Sequence, residues 1–342
     1  MILSANLITP QAVPSLVRSL FRVLVLCAFM PQIALALNFN SKSVSGLSQA
    51  YGYVSAQELT LARIEKQFPD LARKGALVRA QFQSAFPDSA SKLRAHIAVA
   101  ANGQEIGKQL DATIEKMFAS QASLPMTRAD ADTYLDEVVS RSKGEIESPV
   151  YEYLLAVKYE LRPVGEFLDG KRQRYQTDGT GKSQGIKLNL QLPRSWAALD
   201  GERPHIVKKW ESENGTGLEM IALDIRDAEG YAPTRQETEE FVRSGEAKSA
   251  IPESAAFVSA GTFQVERQPG YWVQMTLKQE RVGVGIYQEA IQYQLYFRGK
   301  AIGISCSALG SPDETKRVSD AFVRVRPLCQ QVVNSLVLLQ NY

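Results

Sequence analysis

A change of hydrophobic period partway along the chain constrains its fold more than any other feature. Over residues 44–159, Leu47, Tyr51 and Val54, and later Leu61, Ile64 and Phe68, recur at steps of three and four in a background rich in Ala, Leu, Gln, Lys and Glu. From residue 186 the period becomes two. Tyr271, Val273, Met275 and Leu277 alternate with Trp272, Gln274, Thr276 and Lys278, and Ile291, Tyr293, Leu295 and Phe297 alternate with Gln292, Gln294, Tyr296 and Arg298. The order predicts an α+β chain: an N-terminal helical region, then an antiparallel sheet flanked by helices, with one apolar sheet face on a core.

Local signals place the corners. Phe68-Pro69-Asp70 and Phe86-Pro87-Asp88 each put a proline where one helix cannot continue and the next can start. Thr127 precedes Asp130 as a helix cap, and Pro149 opens a helix through Tyr159. Residues 162–185 lose periodicity and turn polar and glycine-rich, which reads as a linker between a helical region at 37–161 and a domain at 186–342. Asn214-Gly215 reads as a hairpin turn. A short helix is expected from Pro233, anchored by Phe241 and Val242. A longer one is expected from Ser311-Pro312-Asp313-Glu314, with Val318, Phe322, Val325, Cys329, Val332 and Leu336 as its apolar stripe and Pro327 kinking or splitting it.

Residues 1–36 carry an address. Arg18 and Arg22 flank the start of an apolar run of about 14 residues, short of the ~20 that span a bilayer, and Ala34-Leu35-Ala36 has the small residues of a cleavage site. This predicts a signal peptide at 1–36, a mature start at Leu37, a periplasmic or secreted location and no stable membrane anchor after cleavage. Leu24-Val25-Leu26, before Cys27, lacks the small residue of a lipoprotein site. The chain has 39 Lys+Arg against 37 Asp+Glu, and cleavage removes two arginines and no acid, leaving 37 of each. Such a balance gives no electrostatic footprint for nucleic acid and no hold on anionic lipid.

Motifs for chemistry are few. Gly181-Lys182-Ser183 resembles the end of a phosphate loop, but Gln176 stands where its first glycine belongs. Ser89-Ala-Ser-Lys92 has a nucleophile spacing but reads as a helix start. The two histidines, His96 and His205, lack an obvious local orienter or zinc-ligand spacing, and Asp224, Asp227 and Glu229 lack calcium-loop spacing. No cofactor or metal is expected. Trp272, Gln274, Gln292, Gln294 and Tyr296 lie opposite the apolar sets of their strands, and amphipathic aromatics among glutamines suit a partner-binding face. Cys306 shares a strand face with Ile302 and Ile304, and Cys329 lies on the stripe of the following helix. In an oxidising compartment the two are expected to form a disulfide.

Leu190-Gln-Leu-Pro-Arg-Ser-Trp196, Met220-Ile-Ala-Leu-Asp-Ile225, Pro269-Gly-Tyr-Trp272, Gln294-Leu-Tyr-Phe-Arg-Gly-Lys-Ala-Ile-Gly-Ile304 and Val333-Asn-Ser-Leu-Val-Leu338 come in the order seen in PsbP/Mog1-like domains. The resemblance covers about residues 185–340. It implies an antiparallel sheet flanked by helices, in a fold whose members mostly bind partners rather than catalyse. The whole chain also resembles bacterial exported proteins that join a helical N-terminal region to such a domain. The function expected is an exported, non-catalytic binding or assembly factor of the bacterial envelope, with an envelope protein or small ligand as partner and no nucleic acid. The alternative is a histidine-independent envelope hydrolase.

Overall fold

The computed structural model describes residues 41–99, 103–122, 125–281 and 284–342; the expected signal peptide and Leu37 lie outside them. Among the described residues, six helices form the first region: α1 (Ser41–Gln67), α2 (Ala72–Ala85), α3 (Ser89–Val99), α4 (Gly103–Ala122), α5 (Arg128–Ser142) and α6 (Val150–Tyr159). Pro69 opens a short 3-10 turn between α1 and α2, and Phe86-Pro87-Asp88 turns the chain into α3 with Asp88 at φ +55°. Thr127 and Asp130 cap α5 reciprocally: the Asp130 amide donates to the Thr127 hydroxyl at 3.2 Å and the Thr127 amide to the Asp130 carboxylate at 3.0 Å. Leu61, Ile64, Phe82, Leu93, Ile97, Leu135 and Leu154 meet in one apolar core.

Residues 162–185 are not the linker their composition suggested. They hold α7 (Pro163–Leu168) and β1 (Arg172–Gln176), and β1 pairs antiparallel with β2 (Leu188–Pro193) along its length. The glycines serve turns there, Gly179 and Gly185 both at positive φ. Polar composition misled because β1 is an edge strand, with alternate side chains in water.

The sheet region has two sheets. The smaller runs β1-β2-β10, with β10 at Val337–Leu338. The larger runs β3-β4-β5-β9-β8-β7-β6, all antiparallel, from β3 (Ala197–Asp200), β4 (Ile206–Glu211), β5 (Glu219–Asp227), β6 (Ala255–Val265), β7 (Gln268–Arg281), β8 (Val284–Phe297) and β9 (Lys300–Gly310). The β4–β5 hairpin turns through Glu213, Asn214 and Gly215, all at positive φ. Helix α8 (Arg235–Arg243), capped by Thr234 and Glu237, lies on β6 and β7. Helix α9 (Thr315–Asn334) lies on the other face of the sheet with β2. Pro327 does not split α9: its ring is exposed, and the buried stripe on either side holds the helix to the sheet.

Both faces of the large sheet are therefore covered, not one. Ile291, Tyr293, Leu295, Ile302, Ile304 and Cys306 face α9 and β2, whereas Tyr271, Val273 and Met275 face α8 with Phe241. Among the described residues no helix is long and apolar enough to cross a membrane.

Glu166 of α7 fastens this region internally. Its carboxylate accepts the Ser195 amide at 2.7 Å and the Ser195 hydroxyl at 2.6 Å, with both residues buried. Burial pushes the carboxyl up to about 7 from an ordinary 4.5, against those hydrogen bonds. The folded protein thus holds this proton more tightly than the unfolded chain does. Stability from this group is complete below pH 4.5 and declines as pH rises to about 7, by roughly 3 kcal/mol in total. Denaturant unfolding of Glu166→Gln against wild type at pH 5 and pH 8 should show a smaller loss in the variant; equal losses would remove Glu166 as the source.

Candidate functional site

The structure divides the residues expected to form one recognition face. Antiparallel register sets Trp272 opposite Tyr293 and Gln274 opposite Ile291, but Val273 opposite Gln292 and Tyr271 opposite Gln294. Trp272 and Gln274 therefore point to the α9 side, where Trp272 is half-buried against the core, while Gln292, Gln294 and Tyr296 point to the α8 side and are buried. Period-2 patterning fixes the two faces of each strand but not which face of one matches which face of the next. Tyr296 stacks edge-on with Tyr231 at 5.0 Å.

One concavity among the described residues lies on the helical region. A cleft of about 640 Å³ opens between α1, α5 and the chain leading into α6. Helical spacing puts Gln49 and Tyr53 on one face of α1, with Gln57 a turn further, and puts Glu137 one turn before Arg141 on α5. The Arg141 guanidinium lies 5.3 Å from the Tyr53 ring centre and 5.0 Å from that of Tyr134. It donates to Gln57 Oε1 at 3.2 Å, the Tyr134 hydroxyl at 3.3 Å and Glu137 at 2.9 Å. Burial raises the Tyr53 phenol above its ordinary range, and Arg141 opposes the shift. Beside this floor the lining holds Asp136, Glu137, Glu145 and Glu147, four carboxylates against one guanidinium. Asp136 is bridged to Lys74 at 2.7 Å, whereas Glu145 and Glu147 stand exposed at the rim. Sequence reading missed the set because Tyr53 and Arg141 are far apart in the chain; only the Glu137–Arg141 spacing carried a local hint.

A second constellation lies where the two regions meet. His96 of α3 has Nε2 2.9 Å from Glu160, just after α6, and Nδ1 3.6 Å from Glu213 in the β4–β5 turn. Lys92 pairs with the other Glu160 oxygen at 3.3 Å and donates to the Val157 carbonyl at 3.0 Å. Its amine is thus engaged away from Ser89, which opens α3, as the helix-start reading expected. Burial raises the Glu213 carboxyl above the usual range; His96 opposes this while Glu219 and Glu160 add to it. The orienters that the sequence around His96 lacked come from distant segments. Arg194 and Glu152, 3.1 Å apart, make a further bridge between the regions.

The other residues weighed from sequence do not converge. Asp224 is buried and pairs with Arg226 at 3.1 Å, while Asp227 pairs with Lys300 at 2.8 Å. Among the described residues no group of three or more His, Cys, Asp or Glu side chains could hold a metal ion. Cys306 and Cys329 are at disulfide distance, with Cα atoms 6.1 Å apart, both fully buried between β9 and α9.

No family model and no curated protein sequence matches the chain. Solved structures do, over the C-terminal half, which resembles PsbP/Mog1-like domains. Cyanobacterial PsbP (CyanoP) from Synechocystis shares 17% identity over 49% of this chain and 92% of its own, with a TM-score of 0.31. The Ran-binding protein Mog1p of Saccharomyces cerevisiae shares 10% over 49% and 95%, with a TM-score of 0.33. LpqN of Mycobacterium tuberculosis, described as involved in cell envelope biogenesis, shares 12% over 49% and 90%, with a TM-score of 0.27.

Proposed function

We propose that the protein is an exported, non-catalytic binding or assembly factor of the bacterial envelope, and that its cleft takes a cationic segment of a partner protein. The observation that carries this reading is the lining of the cleft. Arg141 is already committed to two rings, Glu137 and Gln57, so it stiffens the floor and leaves the carboxylates in excess. Tyr53 and Ile146 offer apolar contact to the stem of a long side chain, and the exposed carboxylates meet its charge. An excess of one sign in a concave site steers the opposite sign towards it. Export is supported by the arginine-flanked apolar run ending in Ala34-Leu35-Ala36, and by a cysteine pair at disulfide distance.

The test is a titration of the purified protein with a fluorescent decapeptide rich in lysine and arginine, alongside a counterpart carrying glutamate at the same positions. The basic peptide should bind, more weakly as salt rises. Glu145→Gln combined with Glu147→Gln should weaken it about fivefold, since two exposed pairs are worth about 1 kcal/mol together. Equal binding of both peptides, or no effect of the double variant, would reject the cleft as the site.

A further inference from the structure

We propose that β6 is the surface through which two copies of this chain pair, antiparallel and edge to edge, about a two-fold axis at Ala260. A strand at the end of a sheet presents a row of backbone N–H and C=O groups to whatever lies beside it, and proteins blunt such strands with charge, proline or shortness. Among the described residues, three of the four edge strands are blunted. β3 runs for 4 residues and β10 for 2, and β1 carries Arg172 and Arg174 with their side chains in water. β6 runs for 11 residues with no charged residue and no proline, and among the described residues no strand pairs with its outer side.

The side chains along this edge suit an apolar neighbour. Val258 is 49% exposed. Phe263 packs edge-on against Tyr293 at 5.3 Å, and Phe257 has the Lys248 amine 5.7 Å from its ring centre. The Trp272 indole of β7 lies over Gly261, so closely that a Cβ there would come within 2.6 Å of the ring. The indole therefore extends over the outermost strand, where it stays half-exposed.

The flanking charges select a second copy and set its direction. Glu253 precedes β6 and Arg267 follows it; both are exposed, and among the described residues neither has an ion pair or a side-chain hydrogen bond. They stand equally far from Ala260 along the chain. Glu266, beside Arg267, is already taken up by the Leu338 amide at 3.0 Å, the Asn341 amide group at 3.0 Å and the Tyr342 hydroxyl at 3.2 Å. A two-fold axis at Ala260 brings Glu253 of each copy to Arg267 of the other, giving two pairs of unlike charge, and no like charges meet between them because β6 has none. Parallel pairing in register would instead set Glu253 beside Glu253 and Arg267 beside Arg267. At the axis the facing residues are small: Ala260 meets its counterpart, and Ser259 meets Gly261. The bulge between Phe257 and Ser259 displaces the pairing beyond it by one position, a shift that the long Arg267 side chain spans. Such a contact uses the same patch on both copies and closes at two. One strand pair is small beside the ~1,200–2,000 Å² of stable interfaces, so a Kd of about 10–100 µM is expected.

Sedimentation equilibrium of the purified protein over a concentration series, with amide exchange at its two ends, tests this. Wild type should pass from monomer to dimer and stop there, and the outward amides of residues 259–265 should exchange several-fold more slowly at the high end. Val258→Lys combined with Thr262→Lys, both at exposed positions of the edge, should abolish the dimer. Glu253→Lys and Arg267→Glu should each weaken it about tenfold, and the two together, which restore unlike pairs with the signs exchanged, should return it close to wild type. A wild type that stays monomeric up to about 1 mM would overturn the pairing and leave the edge to an extended segment of another protein. A dimer that survives the two lysines, a combined swap as weak as either single change, or growth past the dimer without a plateau would also overturn it.

Discussion

Trp210→Ala should cost about 4 kcal/mol, within the range for emptying an aromatic site in a core. Trp210 is fully buried near the C-terminal end of β4, in register with Ala198 on β3 and Ile221 on β5. Its face of the large sheet meets the small one, and the Tyr175 ring of β1 packs edge-on against it at 5.1 Å. One indole thus joins two sheets that share no strand. An alanine there cannot be compensated by a neighbouring side chain without sliding one sheet over the other, so a cavity should persist. Against a typical total of about 5–15 kcal/mol, such a loss brings the protein close to unfolding. Urea unfolding of Trp210→Ala should show a large fall in the midpoint, and Trp210→Phe, which keeps a ring against Tyr175, a much smaller one. An unchanged midpoint in the alanine variant would mean that the sheets do not pack through this residue.

The contrast between what could be read from the chain and what could not has a physical origin. Helix corners at Pro69, Pro87 and Thr127, the hairpin at Asn214-Gly215 and the short helix after Pro233 depend on residues within a few positions of one another, and they fold as local chemistry dictates. The α9 stripe was legible for the same reason. Trp272 and Tyr296 were assigned to one surface because each strand's alternation is clear, but their faces are matched by the β7–β8 register, a tertiary property. β1 was passed over because an edge strand can be as polar as a loop.

The candidate sites were less legible than the fold. Arg141 meets Tyr53 and Gln57 from another helix, and His96 meets Glu160 and Glu213 from segments far along the chain. Nothing about a glutamate in isolation distinguishes Glu213 from the exposed carboxylates elsewhere. Its role comes from a turn that the sequence does predict, lying against a helix that the sequence also predicts, in an arrangement that neither predicts alone.

Loss of the Cys306–Cys329 bond should be the second large effect. The pair joins the centre of β9 to the C-terminal half of α9, and both residues lie inside the core shared by the large sheet, α9 and β2. Their Cα separation of 6.1 Å is within the range a disulfide spans. With a sequence separation of 23, the chain-entropy model gives about 3 kcal/mol of stabilisation, because the unfolded chain loses the freedom of that loop. Cys306→Ala with Cys329→Ala should lower the melting temperature by on the order of 10 °C for a protein of this size. Reduction of wild type should lower it comparably, since both act on the same unfolded loop. The comparison separates the bond from the packing: two thiols are small apolar groups that fill the interface without being joined. A double variant as stable as the oxidised protein would show that the cross-link contributes nothing. Peptide mapping of protein isolated without reductant should recover the two cysteine peptides joined; finding them as free thiols would remove both the bond and its support for an oxidising location.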